Sequence, residues 1–183
     1  MQTSNAGNMQ NGMDGNDYNV VADWSSVDLV RWAAGIISGA IAGAFAMVVA
    51  GICAVTHGFQ FSYPVKIFGT ILLGYKATDY HSHSGFVAGF VVVGFITIFW
   101  GFVFGHFVRT NKIKNLIGMG FTWGAFSWVF MWNLMLHSFK TIGWTTTGPG
   151  VALLTCMAYG FGMMVIAVVD PILRGGRGSR QSS

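Results

Sequence analysis

Charge is what this chain lacks most. Asp, Glu, Lys and Arg together make up 9% of its 183 residues, against roughly 25% in a typical soluble domain. A water-exposed fold of this size has too few charges here to cover its surface. Cysteine is scarce as well: Cys53 and Cys156 are the two in the chain, and both fall inside apolar runs. That argues against a disulfide framework and reads the thiols as small hydrophobic groups rather than redox centres. Also missing are a Cys-x-x-Cys or His-Glu-x-x-His pattern, a Gly-Lys-Ser/Thr phosphate loop, a nucleophile elbow and paired carboxylates, so a conventional enzyme has no motif to rest on. The chain does not start with a positive stretch running straight into an apolar one, and no secretory signal is expected.

What is abundant is apolar surface and glycine: hydrophobic residues reach 53%, and there are 26 glycines. The charges avoid the long apolar runs, so each run sits in hydrocarbon without burying an ion. Four runs exceed the roughly 20 residues that cross a bilayer, over about 29–55, 85–108, 115–138 and 149–173. The fold expected is all-α, a polytopic membrane bundle of four transmembrane helices. Residues 1–22, rich in Asn, Gly, Gln and Met, bury too little to order themselves and read as a disordered polar tail. Residues 23–173 form the transmembrane domain and 174–183 a basic cytoplasmic tail.

Asp and Ser between Asp23 and Asp28 supply caps for the first helix. Arg31 and Trp32 just inside it suit the headgroup level, the cation snorkelling to the interface. Between the first two spans, Pro64 opens a stretch too short and polar to cross, which predicts a short amphipathic helix lying on or dipping into the interface. Tyr75 to Ser84 reads as loop.

The net charge of +4 raises the question of an acidic partner, but its distribution answers it. Arg109, Lys112 and Lys114 fill one short connection, and Arg174, Arg177 and Arg180 fill the tail. Both flank spans, where the positive-inside rule places cations, so both lie in the cytoplasm together with the two termini. Nucleic acid is not expected as a partner, and the Arg-Gly-Gly-Arg-Gly spelling of the tail reads as a topology signal rather than an RNA-binding segment. The lipid bilayer is the expected partner, with a second copy or other membrane subunits beside it.

Small residues four apart let helix backbones approach closely in lipid. Gly35, Gly39, Gly43 and Gly51 line the first helix, Gly85, Gly89, Gly94, Gly101 and Gly105 the second, and Gly120 and Gly124 the third. These stripes predict packing surfaces rather than chemistry, as do Trp100, Trp123, Trp128 and Trp132.

One constellation with chemistry emerges from the topology. His57 ends the first helix, His81 and His83 precede the second, and His137 ends the third, so all four face the outer side, joined by Asp79. Imidazoles with a carboxylate form a ligand set for a transition metal, and two histidines at one depth would suit haem. The alternative is uncoordinated histidine at a membrane interface. His106, at the inner end of the second helix, has no visible partner, and Asp170 reads as an interfacial ion pair with Arg174 rather than part of a proton path. Thr97, Thr122, Ser127 and Asn133 are the remaining intramembrane polar residues considered. The Lys140 to Gly150 connection, rich in Thr, Gly and Pro, turns the chain or forms a polar lid.

The motifs Gly35-Ile-Ile-Ser-Gly39-Ala-Ile-Ala-Gly43 with Met47, Ile67-Phe-Gly-Thr-Ile-Leu-Leu-Gly74, Gly85-Phe-Val-Ala-Gly89, Lys114-Asn-Leu-Ile-Gly118 and Tyr159-Gly-Phe-Gly162 resemble the uncharacterised bacterial four-helix membrane families that include the YagU-like proteins. The likeness runs from about Leu29 to Asp170. It implies an inner-membrane location and a helical bundle and transfers no activity. Members often carry a histidine near the fourth-helix Tyr-Gly pair, whereas Thr155-Cys-Met-Ala-Tyr-Gly has none. The leading expectation is a non-catalytic accessory or scaffold component packing through its glycine stripes. A metal- or haem-binding protein and a small-solute permease are the alternatives.

Overall fold

The computed structural model describes residues 27–136 and 148–178, and within them every regular element is helical. The expected tail over 1–22, His137, Arg180 and the 140–147 part of the last connection lie outside the described residues.

Helix α1 (Leu29–Thr56) starts where the Asp28 carboxylate accepts the Arg31 backbone N–H at 3.0 Å, closing one of the donors a helix start leaves open. Beyond it, Gly58 takes a positive φ of 82°, a turn that costs glycine nothing. Helix α2 (Tyr63–Leu73) carries Pro64 in its first turn, where the missing N–H has no partner to lose. This is the short helix expected there, and a single 3₁₀ segment, Gly74–Thr78, follows it in what reads from sequence as plain loop. Helix α3 (His83–Phe107) is capped by Ser82, whose Oγ accepts from Gly85 N at 3.0 Å.

Helix α4 (Ile113–Trp128) runs directly into a π-helical stretch, Val129–Leu136. Helix α5 (Pro149–Gly162) continues through a 3₁₀ turn, Met163–Val165, into α6 (Ile166–Gly178). Among the described residues three helical stretches are long and apolar enough to cross a membrane: Leu29–Thr56, His83–Phe107 and Pro149–Gly175. The α-helical part of α4 holds 16 residues, about 24 Å of rise against roughly 30 Å of hydrocarbon. Its π-helical continuation extends it, a change of helix type that no Pro or Gly at that point announces.

Glycine decides which helices touch. A Cβ added to Gly35 or Gly39 on α1, or to Gly101 or Gly105 on α3, would come closer than 3.0 Å to the backbone of the other helix. Gly43 meets the side chain of Thr97 on the same seam. On its other flank α1 receives α5 and α6 through Ala42, which faces Gly162. Gly120 and Gly124 of α4 lie on Gly160, Cys156 and Met157 of α5, and Gly69 of α2 lies on Gly85 and Gly89 of α3. Trp100 of α3 closes the remaining side, edge-on to Trp123 and Phe126 of α4 and Phe130 of its π-helical continuation at 5.6, 5.5 and 4.9 Å. Two glycines of the expected stripes behave differently. Gly94 faces open space, and Gly51 packs on the Phe61 ring rather than on a helix.

Gly39→Val is therefore expected to force α1 and α3 apart and destabilise the bundle by about 2 kcal/mol or more. Gly94→Ala, with room for its methyl, is expected to be neutral or stabilising by up to about 1 kcal/mol through helix propensity. Thermal unfolding in mild detergent, followed by tryptophan fluorescence, separates the two; equal midpoints for both variants would refute the seam.

Candidate functional site

At one end of the bundle the start of α1, the α3–α4 link and the end of the chain's last helix converge on Arg31. Its side chain is fully enclosed, with the residue 2% exposed. Its Nε donates to Val108 O at 3.0 Å, and Nη2 donates to Val108 O at 2.8 Å and to Thr110 O at 2.9 Å. Nη1 reaches Asn111 Oδ1 at 2.6 Å and Asp170 Oδ2 at 3.1 Å. All five guanidinium donors are thus used. Asn111 returns its own amide to Asp170 Oδ2 at 2.9 Å. Arg174 then bridges Asp170 at 3.1 Å and Asp28 at 2.6 Å.

This corrects the expectation that Arg31 snorkels to the headgroups. Carbonyls left open at the end of α3 and a carboxylate from α6 supply partners inside the protein, so the cation has no need of the interface. The expected Asp170–Arg174 pair is present, but Asp170 is itself buried and shared with Arg31. His106 also has a partner: Trp32 Nε1 donates to its Nδ1 at 3.1 Å. Since the indole only donates, that imidazole carries its proton on Nε2.

The opposite end holds the predicted histidines. His57 caps α1, His83 begins α3, and His81 lies in the turn before it with its ring edge-on to Tyr80 at 4.9 Å. Asp79 follows the 3₁₀ segment, and all four side chains belong to exposed residues. Among the described residues no three His, Cys, Asp or Glu side chains come together as a metal ion needs; His137 lies outside them. His57 Nδ1 sits 2.7 Å from Cys53 O, an acceptor, so Nδ1 holds the proton and Nε2 keeps its lone pair. Lys66, in the short helix after Pro64, is buried beneath this end. Its ammonium donates to Gln60 Oε1, Asp79 O and Tyr80 O at 3.2, 3.0 and 2.8 Å, so it fixes the link that carries His81.

Beside His57 a cavity of about 320 Å³ opens between α1, α2, α5 and the π-helical stretch, a volume within the range of about 300–1,000 Å³ of small-molecule pockets. Both cysteines line it, with Met131 and Trp132 from the π-helix. A second space of about 70 Å³ adjoins it, sharing Thr155 and Cys156 as walls and bordered also by Ser127 and Tyr159. A π-helical turn often marks a functional site. Neither the cavity nor its π-helical wall is visible in the hydrophobic pattern, because helix periodicity reports faces and not the spaces between them.

Two outcomes follow from the charged end. Asp170→Asn leaves Arg31 buried without its counter-charge and is expected to destabilise the bundle by about 3–5 kcal/mol, read as a lowered unfolding midpoint. For Asp28, just outside the first span, burial works to raise the carboxyl. The hydrogen bonds from Arg174 and the Arg31 N–H, with the charges of Arg174 and Arg109, outweigh it and hold the pKa below its ordinary 3.8. A carboxylate lowered on folding stabilises the fold at pH above that ordinary value, and the contribution disappears as pH falls through the lowered value. The acid limb of a stability-against-pH curve should accordingly flatten in Asp28→Asn; an unchanged limb would deny it a role.

No family model, curated protein or solved structure matches this chain, and the geometry alone carries its functional reading.

Proposed function

We propose that this chain is a four-span integral membrane protein of a bacterial inner membrane, with both termini in the cytoplasm, acting as a non-catalytic accessory or scaffold component. The observation that carries the reading is where its glycines go. They are used between its own helices, which makes the bundle a preassembled body. The surface left to neighbours is a belt of large apolar side chains, including Ile36, Ile41 and Phe45 on α1 and Phe90, Val91 and Phe95 on α3. A partner subunit or second copy meets this belt and not the glycine stripes. The α4 helix with its π-helical extension, packed along α5, supports the fourth span. The YagU-like motifs support the inner-membrane location. The polar node around Arg31 supports the common side of the Arg109–Lys114 connection and the Arg174 tail, since Val108, Thr110, Asn111 and Asp170 meet there, and the positive-inside rule makes that side cytoplasmic.

A metal or haem role for the outer face has one observation in its favour, the free Nε2 of His57. Metal-bound histidines commonly donate the other ring N–H to a carbonyl in just this way. Metal content and visible absorption of protein purified without chelator decide it: stoichiometric metal lost on His57→Ala would establish the site, and colourless, metal-free protein would remove it.

Purification in several mild detergents tests the accessory role. A discrete assembly with a partner or a second copy is expected, and a strictly monomeric, partner-free bundle under every condition would overturn it. A cytoplasm-dependent reporter fused after Lys112 should be active and one fused after Thr145 silent; the reverse pattern would invert the topology.

A further inference from the structure

We infer that the cavity at the His57 end is a binding site for a neutral, predominantly apolar small molecule carrying a single carbonyl or hydroxyl oxygen, with Ser127 as its hydrogen-bond partner at the inner end.

Two spaces make up the site. The outer one, about 320 Å³, and the inner one, about 70 Å³, share Met47, Phe68, Met131, Thr155 and Cys156 as walls, so the two spaces adjoin, and movement of a flexible shared side chain such as Met131 would join them. The described walls carry no charge: among the described residues no Asp, Glu, Lys or Arg lines either space, and His57 at the mouth is the one imidazole. An ion in such a place would lose its hydration with nothing to replace it. Apolar cavities of this kind stay dry and accept apolar molecules, and a lipid-soluble ligand has direct access in a membrane.

The inner end adds one specific demand. Four hydroxyls lie there, and three have spent their donors. Thr155 Oγ1 donates to Val151 O at 2.9 Å, Tyr159 Oη to Thr97 O at 2.9 Å, and Thr97 Oγ1 to Gly94 O at 3.2 Å. Ser127 is different. Its residue is 2% exposed, and its Oγ has no hydrogen-bond partner, although a helical serine has the carbonyl one turn back within reach. A buried hydroxyl without a partner costs free energy, and here it lines the inner space. A ligand oxygen placed there would complete it, and a carbonyl or hydroxyl does so without bringing charge. Met131, four residues beyond Ser127 and within the π-helical stretch, lines the same space with an adaptable, unbranched side chain. The inference is independent of whether the bundle has a protein partner.

The test uses the full chain in lipid nanodiscs with a diazirine-bearing dodecanol, a neutral apolar chain with one hydroxyl. Photolabelling should saturate and map to peptides containing Met131 and Thr155–Cys156. Ala152→Leu, which fills the outer space, should abolish the saturable component. Ser127→Ala, which breaks no bond within the protein, should weaken half-saturation roughly fivefold, the worth of one neutral hydrogen bond, with the unfolding midpoint unchanged. Labelling that never saturates, that falls only on the lipid-facing residues of α1 and α3, or that is indifferent to Ser127→Ala would overturn the inference.

Discussion

Everything in this bundle depends on the bare backbone contact between α1 and α3. Lipid tails are as apolar as leucine, so the force that gathers helices in water is missing, and association rests on packing at close range. Gly35 and Gly39 against Gly101 and Gly105 bring the two main chains together without intervening side chains. That approach gathers many weak contacts, Cα–H to carbonyl among them. It also fixes the axial register of α1, which brings Arg31 level with the last carbonyls of α3. Sliding one helix by a turn along the seam would carry the guanidinium away from Val108 and Thr110.

The two ends of the bundle are built on opposite principles. At the Arg31 end the groups of Arg31, Asn111, Asp170 and Arg174 match one another: guanidinium to carbonyls and carboxylate, carboxylate to a second arginine, amide to both. Such a node is costly to bury and costlier to break, so it holds three stretches of chain in one arrangement. At the other end Lys66 ties the α2–α3 link, and between α1, α2, α5 and the π-helical stretch lies a mostly apolar hollow. Rigidity at one pole and space at the other coexist because the glycine seam keeps α1 and α3 aligned along their inner half.

Much of this was legible before any coordinates. The three long apolar stretches, the short helix after Pro64 and the (i, i+4) pair of Asp170 and Arg174 are local features, written in neighbouring residues. Glycine spacing identified faces, but it could not name their partners: Gly94 obeys the same spacing as its neighbours and looks outward. Arg31 with Asp170 and Trp32 with His106 are non-local pairs, and nothing near Arg31 distinguishes a cation that snorkels from one that is met inside. Lys66 carried a faint signal, a lone cation between Val65 and Ile67 in an apolar helical pattern. His57, His81 and His83 lie at one end, and among the described residues they do not converge on a point with a third ligand. Ser127 is invisible in sequence because an unpartnered hydroxyl is defined by what surrounds it.

The Arg31 node has a consequence for biosynthesis. Its cation belongs to α1, whereas the carboxylate that neutralises it belongs to α6, which leaves the ribosome later. Between those two moments the first helix resides in the membrane, or at the edge of the insertion machinery, with an unmatched charge that only water or lipid phosphate can solvate. Arrival of Asp170 removes that need. Synthesis of α6 is thus what allows α1 to settle, and a product lacking α6 keeps the Arg31 cation without its counter-charge.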